Sequence, residues 1–494
     1  MTTSQTRRQA PRALLAVLLL FVALSLPRTV WAENVPAALA DWMHAEQKLN
    51  NREVDTTKII ALTNHQNPKY APSSGAVFNI KTYWVDANKV HALMGEGLSP
   101  SLKGMFTRKV GGKQQVRLLV HPESEGFYKK VTKSAVRGKD LKASATASSR
   151  TLLVWPSGKG ESACFVKVSL NKEIGGVVRT VPKGEVARSI GINNTLHTDR
   201  SVLPKTFKFL PEVVGLMPKG MDRGGMIVRE IPKSILEGKT KVVPMFSLYA
   251  KPAGRGEPML ATMIKQSGMD PQRFMREKIT RPFAKQFMAL GLKNGVVMEP
   301  HAQNVLIEVG AKGQPTGRFF HRDLGGFNVD YKHRADMKRP KANTPTITTR
   351  AEDYHEAHHT DSLASALDAY FQGGFLHNAE KHARQWQKDG LIKGKAIKKG
   401  AFKADLIGEV EASHKTLTGK SLSLKGNLRN LSKAIPASRK IVTKQGVKGR
   451  TVFGKMGHVA RARVRVRQAV RSASGRTKSK PVKSARPTRA RAVR

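Results

Sequence analysis

Between Gly295 and Asp330 the chain reads GVVMEPHAQNVLIEVGAKGQPTGRFFHRDLGGFNVD, which gathers carboxylate, imidazole and amide groups near one end of a single β-hairpin. VLIEV and RFFHRD are short β-branched and aromatic runs, and Gly310–Gly317 between them is turn chemistry. If Val309 pairs with Arg318, Asn304 lies opposite Asp323, with Glu299 and His301 one step further along. Two carboxylates and an amide converging beside a histidine make an oxygen-rich site suited to Mg2+ and a polyphosphate. An ordinary hairpin with polar ends is the reading that this segment alone leaves open.

A second hairpin supplies complementary charge. SSRTLLVW, the turn PSGKGES and ACFVKVSL run in sequence within Leu141–Leu170. Pairing Trp155 with Ala163 sets Thr151 opposite Lys167 and brings Ser149 and Arg150 close to that lysine. Arg179 follows after a loop over 171–178. Such a group cradles an anion, arginine by its fork and lysine as a point charge.

Other elements must carry these two. Glu33–Asn67 has a helical pattern, and VFNIKTYWV and VRLLVHP read as strands, as do GMIVREIP and Val242–Lys251. Asp270 and Pro271 open a helix to Leu292 in which Met275, Ile279, Phe283, Phe287 and Leu290 keep helical spacing. Pro282 predicts a kink there. Ala351–Gly390 reads as helical, broken near Gly373-Gly374.

Of the 494 residues, 87 are Lys or Arg against 36 Asp or Glu, and 39% are hydrophobic, enough for a globular body with extra polar segments. The last acid is Glu411, and Ala412–Arg494 holds 24 Lys or Arg, nearly half the net charge of +51. That stretch predicts a disordered basic tail with non-specific affinity for anionic surfaces: nucleic acid, lipid headgroups or cell-wall polymer. No aromatics interleave with the arginines of residues 461–494, which argues against sequence-specific single-strand binding. Near the other end, Arg7, Arg8 and Arg12 precede the apolar run Ala13–Leu26, and Val30-Trp31-Ala32 has the form of a cleavage site. This predicts a signal peptide over 1–32, export to a periplasmic location, and retention as an N-terminal membrane anchor as the alternative. Cys164 is the single cysteine, so no internal disulfide forms, and its apolar surroundings predict a core residue.

EPHAQN followed by HRDLGG resembles the pattern of the IucA/IucC (aerobactin synthetase-like) family of NRPS-independent siderophore synthetases. Upstream pieces follow in the family's order: Val120-His121-Pro122, Thr146-Ala147-Ser148-Ser149-Arg150-Thr151, the lysine-bearing strand Phe165–Leu170, Val178-Arg179-Thr180 and Ile227-Val228-Arg229-Glu230. The resemblance covers roughly residues 115–390 and implies a mixed α/β cradle of fingers, palm and thumb with a helical C-terminal subdomain. It implies ATP- and Mg2+-dependent joining of a small polycarboxylate to an amine or alcohol through an acyl-adenylate. Ser149, Arg150, Lys167, Arg179, His301 and Asn304 would then bind the nucleotide, and Glu299, Asn304 and Asp323 the metal. His301 and Arg322 are the candidate catalytic groups. The family's H-P-x-H-x-x-x-K element has no counterpart before Val120, so the N-terminal half is shortened.

The domain expectation is accordingly 33–138 mixed, 139–260 fingers-like, 261–411 palm and thumb-like, and 412–494 tail. Three rivals stand beside the ligase. A non-catalytic binding protein could use the same scaffold. His321-Arg322-Asp323-Leu324 with Asn328 has kinase catalytic-loop spacing, although no D-F-G follows and no Gly-rich loop precedes it. His355-Glu356-Ala357-His358-His359 fits H-E-x-x-H zinc spacing with Glu380 as a third ligand, but follows a polar segment unlike a core helix.

Overall fold

Five consecutive residues, Thr151–Trp155, are all buried, although side chains in a strand alternate between faces. In the computed structural model both faces are covered. Leu152 and Val154 join a core with Phe78, Leu118 and Val228, while Leu153 and Trp155 join another with Trp42, Phe165, Leu306 and Phe320. The structure describes residues 35–49, 65–157, 163–174, 177–252, 256–340 and 363–431. The expected signal segment, the HEAHH motif and the chain after Leu431 lie outside the described residues. Two units divide the chain, Met1–Lys440 and Ile441–Arg494, and every described residue falls in the first.

The strand Thr151–Trp155 lies inside an antiparallel sheet of ten strands. In chain order these are β1 (Val77–Asp86), β2 (Val90–Met94), β3 (Thr107–Val110), β4 (Lys113–Val120), β5 (Val136–Arg137), β6 (Leu141–Ala145), β7 (Thr151–Trp155) and β8 (Cys164–Lys167). Beyond β9 (Phe207–Phe209), which joins a second sheet, come β10 (Glu212–Pro218) and β11 (Met226–Glu230). Their spatial order is β2-β10-β11-β8-β7-β6-β1-β4-β3, with β5 also on β1. Thr151 stands opposite Lys167 and Val154 opposite Cys164, as the turn spacing predicted. The second sheet runs β9-β14-β13-β12, with β12 (Lys241–Pro244), β13 (Val305–Val309) and β14 (Pro315–His321). Its β9–β14 pair is parallel.

Two strand expectations need correction. β12 stops at Pro244, where a 3-10 turn over Met245–Leu248 replaces the second half of the expected strand. In the central hairpin Val305 pairs with His321 and Ile307 with Phe319, but Val309 pairs with Pro315. A bulge absorbs the difference, helped by Gly317 at φ 79°. The register is slipped by one residue, and the Arg322 N–H donates to the Asn304 carbonyl at 3.0 Å. Asn304 therefore stands across from Arg322, not Asp323.

Helix α1 (Ala40–Lys48) caps the core between the sheets, and α2 (Lys183–Thr198) packs on β10. At Gly215 a Cβ would come within 2.7 Å of Val186, so glycine there permits the close approach. Asp270 caps its helix as expected, accepting from Gln272 and Arg273 N–H. The chain then widens to π geometry over Met275–Thr280 before α3 (Arg281–Asn294), so the bond missing at Pro282 is absorbed without ending the helix. Gly373-Gly374 likewise lie in a π stretch, Ala366–Leu376, that runs on into α4 (His377–Lys388). The expected break is a widening. Helix α5 (Ala401–Thr418) crosses the expected start of the tail at Ala412 and packs on α3.

Phe283 is fully buried and stacks on Phe371 with ring centroids 3.7 Å apart, with Phe319 edge-on at 5.7 Å. Phe283→Ala should lower unfolding free energy by about 3–5 kcal/mol, read from the urea midpoint. A loss within error would show that this aromatic joint does not hold the helices to the second sheet.

Candidate functional site

Period two fixes which residues leave the first sheet toward the second. Phe165 and Lys167 share a face of β8, and Phe165 packs in the core that includes Leu306 and Phe320 of the second sheet. Lys167 therefore emerges beside the end of β14. Asp323 and Glu185 meet it there. Asp323 adopts φ 67°, which turns the chain sharply after β14. The Lys167 ammonium pairs with its carboxylate, and at 2.5 Å with Glu185 Oε1 in the first turn of α2. Arg150 lies 3.6 Å from Glu185, and Arg229, paired with Glu212 at 2.6 Å, lies 3.7 Å from Asp323. Three cations and three carboxylates so meet at one seam.

Burial alone would lower the Lys167 pKa, but Asp323 and then Glu185 more than reverse it and hold the ammonium above the ordinary lysine range. Burial likewise opposes ionisation of Asp323, and Lys167 and Arg229 overcome it, holding that carboxyl well below its usual range. Both groups are charged at neutral pH. Glu299 behaves differently: burial, and then the negative charge of Asp323, push its carboxyl up to about 7. The Asn304 amide donates to Glu299 Oε2 at 3.4 Å, and a Cβ at Gly326 would come within 2.4 Å of that oxygen. A side chain in place of the second glycine of LGG would therefore displace the Glu299 carboxylate. Two carboxylates repelling one another beside an amide oxygen are a donor set that fits a hard divalent cation.

Of the sequence-predicted residues, Ser149 lies in a turn at φ 65°, locked by Thr151 N–H to Ser148 Oγ at 3.1 Å and by Thr146 Oγ1 to the Thr151 carbonyl at 2.8 Å. Arg150 donates to the carbonyls of Arg179 at 3.2 Å and Thr180 at 3.0 Å, tying both cradle segments together. The Arg179 guanidinium donates from Nε to the Ile174 carbonyl at 3.1 Å. His301 accepts from Gln303 N–H at 3.2 Å, with its ring 6.2 Å from Tyr370. The Tyr370 hydroxyl hydrogen-bonds Glu299.

Arg322 has another environment. Its guanidinium chelates the buried carboxylate of Glu46 on α1 and donates from Nε to the Gln303 carbonyl at 2.8 Å. Glu46 also accepts from the Trp42 indole at 3.1 Å and from Ala147 N–H at 3.2 Å. One buried ion pair thus joins α1, the Thr146–Thr151 turn and the Asp323 loop. In this arrangement Arg322 positions its neighbours. Sequence reasoning missed Glu46, Glu185, Glu212 and Tyr370. Trp42 and Glu46 stand at i,i+4, a spacing that could have signalled Glu46; the others carry no local signal.

The rival motifs fare poorly. His321 is buried, stacked on Phe207 at 5.1 Å and bonded to the Gln286 amide at 2.8 Å, and burial lowers it to about 3. It is a core residue, not part of a kinase loop. Glu380 accepts from Gly400 and Phe402 N–H at 2.8 and 3.0 Å, which occupies the proposed third zinc ligand. Cys164 is buried and its thiol is pushed up by burial, as expected of a core residue.

Removing one partner of the Glu46–Arg322 pair strands a buried charge. Glu46→Ala or Arg322→Ala should each cost about 3–5 kcal/mol in denaturant unfolding, and the double variant less than the sum of the two. Strict additivity would mean that the two groups are not coupled.

The IucA / IucC family profile matches residues 57–250. No curated protein sequence matches the chain. Among solved structures, the petrobactin biosynthesis protein AsbB from Bacillus anthracis str. Sterne is similar at TM-score 0.56 and 19% identity, over 72% of this chain and 63% of that one. Aerobactin synthetase IucC from a hypervirulent pathotype of Klebsiella pneumoniae aligns at TM-score 0.54 and 16% identity, covering 71% and 65%. ATP-bound aerobactin synthetase IucA from the same pathotype aligns at 0.53 and 16%, covering 80% and 74%. The chain thus spans less than two thirds of the length of AsbB and of IucC. Residues 57–250, which span the first sheet, match the IucA / IucC family profile, and the mixed α/β fold of the described body is shared with AsbB, IucC and IucA.

Proposed function

We propose that the chain is an ATP- and Mg2+-dependent ligase that joins a small polycarboxylate to an amine or alcohol. The observation that carries the proposal is the meeting of Lys167 with Asp323, which brings a cationic ledge from one hairpin against the acidic edge of another. Family kinship over residues 57–250 and the likeness to an ATP-bound synthetase support it. ATP would supply activation of the carboxylate, with Mg2+ offsetting phosphate charge. Ser149, Arg150, Lys167 and Arg179 would hold the phosphates, with His301 and Asn304 beside them, and Glu299, Asn304 and Asp323 would hold the metal.

These residues work by position and charge. Lys167 is already oriented by two carboxylates, so a phosphate would take its one remaining N–H or displace Glu185. Arg150 keeps the Ser149 turn and the Arg179 segment at a fixed separation. Glu46 and Arg322 hold the Asp323 loop against the Ser149 turn from behind. The acid-free tail is proposed to attach the enzyme non-specifically to an anionic surface.

ATP–pyrophosphate exchange with a panel of polycarboxylates tests the reading. Exchange should be detected with at least one of them and fall by about 10²–10³-fold in Lys167→Met. Absence of both exchange and nucleotide binding would replace the ligase by a non-catalytic binding protein.

The raised Glu299 value sets a pH dependence. A proton and Mg2+ compete for the same carboxylate, so Mg2+ affinity should weaken about tenfold per unit as pH falls below about 7 and level off above it. In the metal-free protein the sign for stability is opposite. Ionised Glu299 disfavours the fold, so its contribution declines as pH rises from 4.5 toward about 7. Calorimetric Mg2+ titrations at several pH values check this, and Glu299→Gln should flatten the profile. An unchanged profile in that variant would remove Glu299 from the metal site.

A further inference from the structure

A second concentration of unmatched charge lies in the helical C-terminal part, among groups the proposed ligase reading does not use. A cavity of about 360 Å³ opens between α4 and the start of α5, lined among others by Lys381, Arg384, Lys388, Lys399 and Lys403. On α4, His377, Lys381, Arg384 and Lys388 recur at helical spacing, so they form one stripe along a single face. Across from it, Lys399 and Lys403 flank the beginning of α5. Like charges at such spacing repel and destabilise their helices, so nothing in the local fold favours the arrangement.

The opposing charge is nearly absent. Glu380 is the one carboxylate in the lining, and both its oxygens are taken up by Gly400 and Phe402 N–H. Asp368 pairs with Arg429 at 3.1 Å and, of the cations lining the cavity, reaches Lys403 at 3.9 Å. Among the described residues no acceptor pairs with Lys381, Arg384, Lys388 or Lys399, and Arg384 is half-buried. Gly400, at φ 85°, contributes backbone without a side chain at the cavity floor. Leu376 is the one aliphatic side chain among the lining residues, and the rest of the lining is polar or charged.

We propose that this cavity is a binding site for a compact multivalent anion, a polycarboxylate or an oligophosphate without a base. Arg384 would grip one anionic group by its fork, and the lysines of both walls would satisfy the others as point charges. Because the walls belong to two helices, occupancy would brace α4 against α5. Tyr370, the partner of Glu299, lies in the π stretch that runs directly into α4, so bracing would reach the first site through one continuous helix.

Isothermal titration of the full chain with citrate and, separately, with pyrophosphate at constant ionic strength tests the site. At least one probe should bind saturably, and the tighter of the two identifies the anion type. The double variant Arg384→Gln/Lys399→Gln should weaken that component at least tenfold while Lys478→Gln/Lys480→Gln in the tail leaves it unchanged. The pocket variant should unfold, without anion, at a temperature no lower than the parent, since repulsion is relieved; Arg384→Lys, which keeps charge but not the fork, should weaken binding partially. Absence of saturable binding, or equal binding in the pocket variant, would overturn the proposal. These outcomes are independent of nucleotide exchange, so failure here leaves the ligase reading where it stood.

Discussion

Charges removed from water must find partners, and in this protein the partners come from distant parts of the chain. Lys167 ends a strand of the first sheet, Asp323 follows a strand of the second, and Glu185 opens a helix between them in sequence. Glu46 and Arg322 repeat the pattern behind the same loop, and Arg334 with Asp199 does so further off. The apolar core shared by Trp42, Phe165, Leu306 and Phe320 provides adhesion between sheets, but hydrophobic contact is non-directional. Ion pairs with fixed donors set the relative placement that such a core would leave loose. Buried pairs of this kind are poor net stabilisers, and their effect is on which arrangement survives.

Conformation at the same seam carries a second constraint. Ser149 and Asp323 both adopt left-handed backbone without being glycine. Each such residue costs roughly 1–2 kcal/mol, less for aspartate, whose short side chain bonds locally. Both sit where a strand turns sharply at the meeting of the sheets. The surrounding hydrogen bonds over Thr146–Thr151 and the Gly326 N–H to Asp323 carbonyl at 2.9 Å hold these turns in place. Strain of this sort persists where neighbouring structure over-determines it.

What could be read in the residues beforehand followed their range. The pairing of Thr151 with Lys167 was legible because a short turn between two apolar runs leaves few registers. The central hairpin was legible as a hairpin but not in register, since Pro315 and Gly317 allow a bulge that strand pattern does not encode. The acids Glu299 and Asp323 were found because they flank those strands. Glu185 and Glu212 were not, because nothing near them in sequence marks a carboxylate destined for a lysine or arginine on another strand. Helix α2 was missed for a related reason: Gly184, Gly191, Asn193 and Asn194 disguise it, and its burial against β10 overrides their poor propensity. The glycine pair at 373–374 misled in the opposite direction, since a π stretch tolerates what an ordinary helix would not.

The separation of Glu46 from its partner bears on how the protein is made. Arg322 lies 276 positions later in the chain, which at ribosomal speeds of about 5–20 residues per second is an interval of roughly 14–55 seconds. Throughout that time α1 carries a carboxylate that cannot be sealed into the interior without its counterion. The first α-helix among the described residues is therefore among the last to dock, and the seam closes only after both sheets have been synthesised.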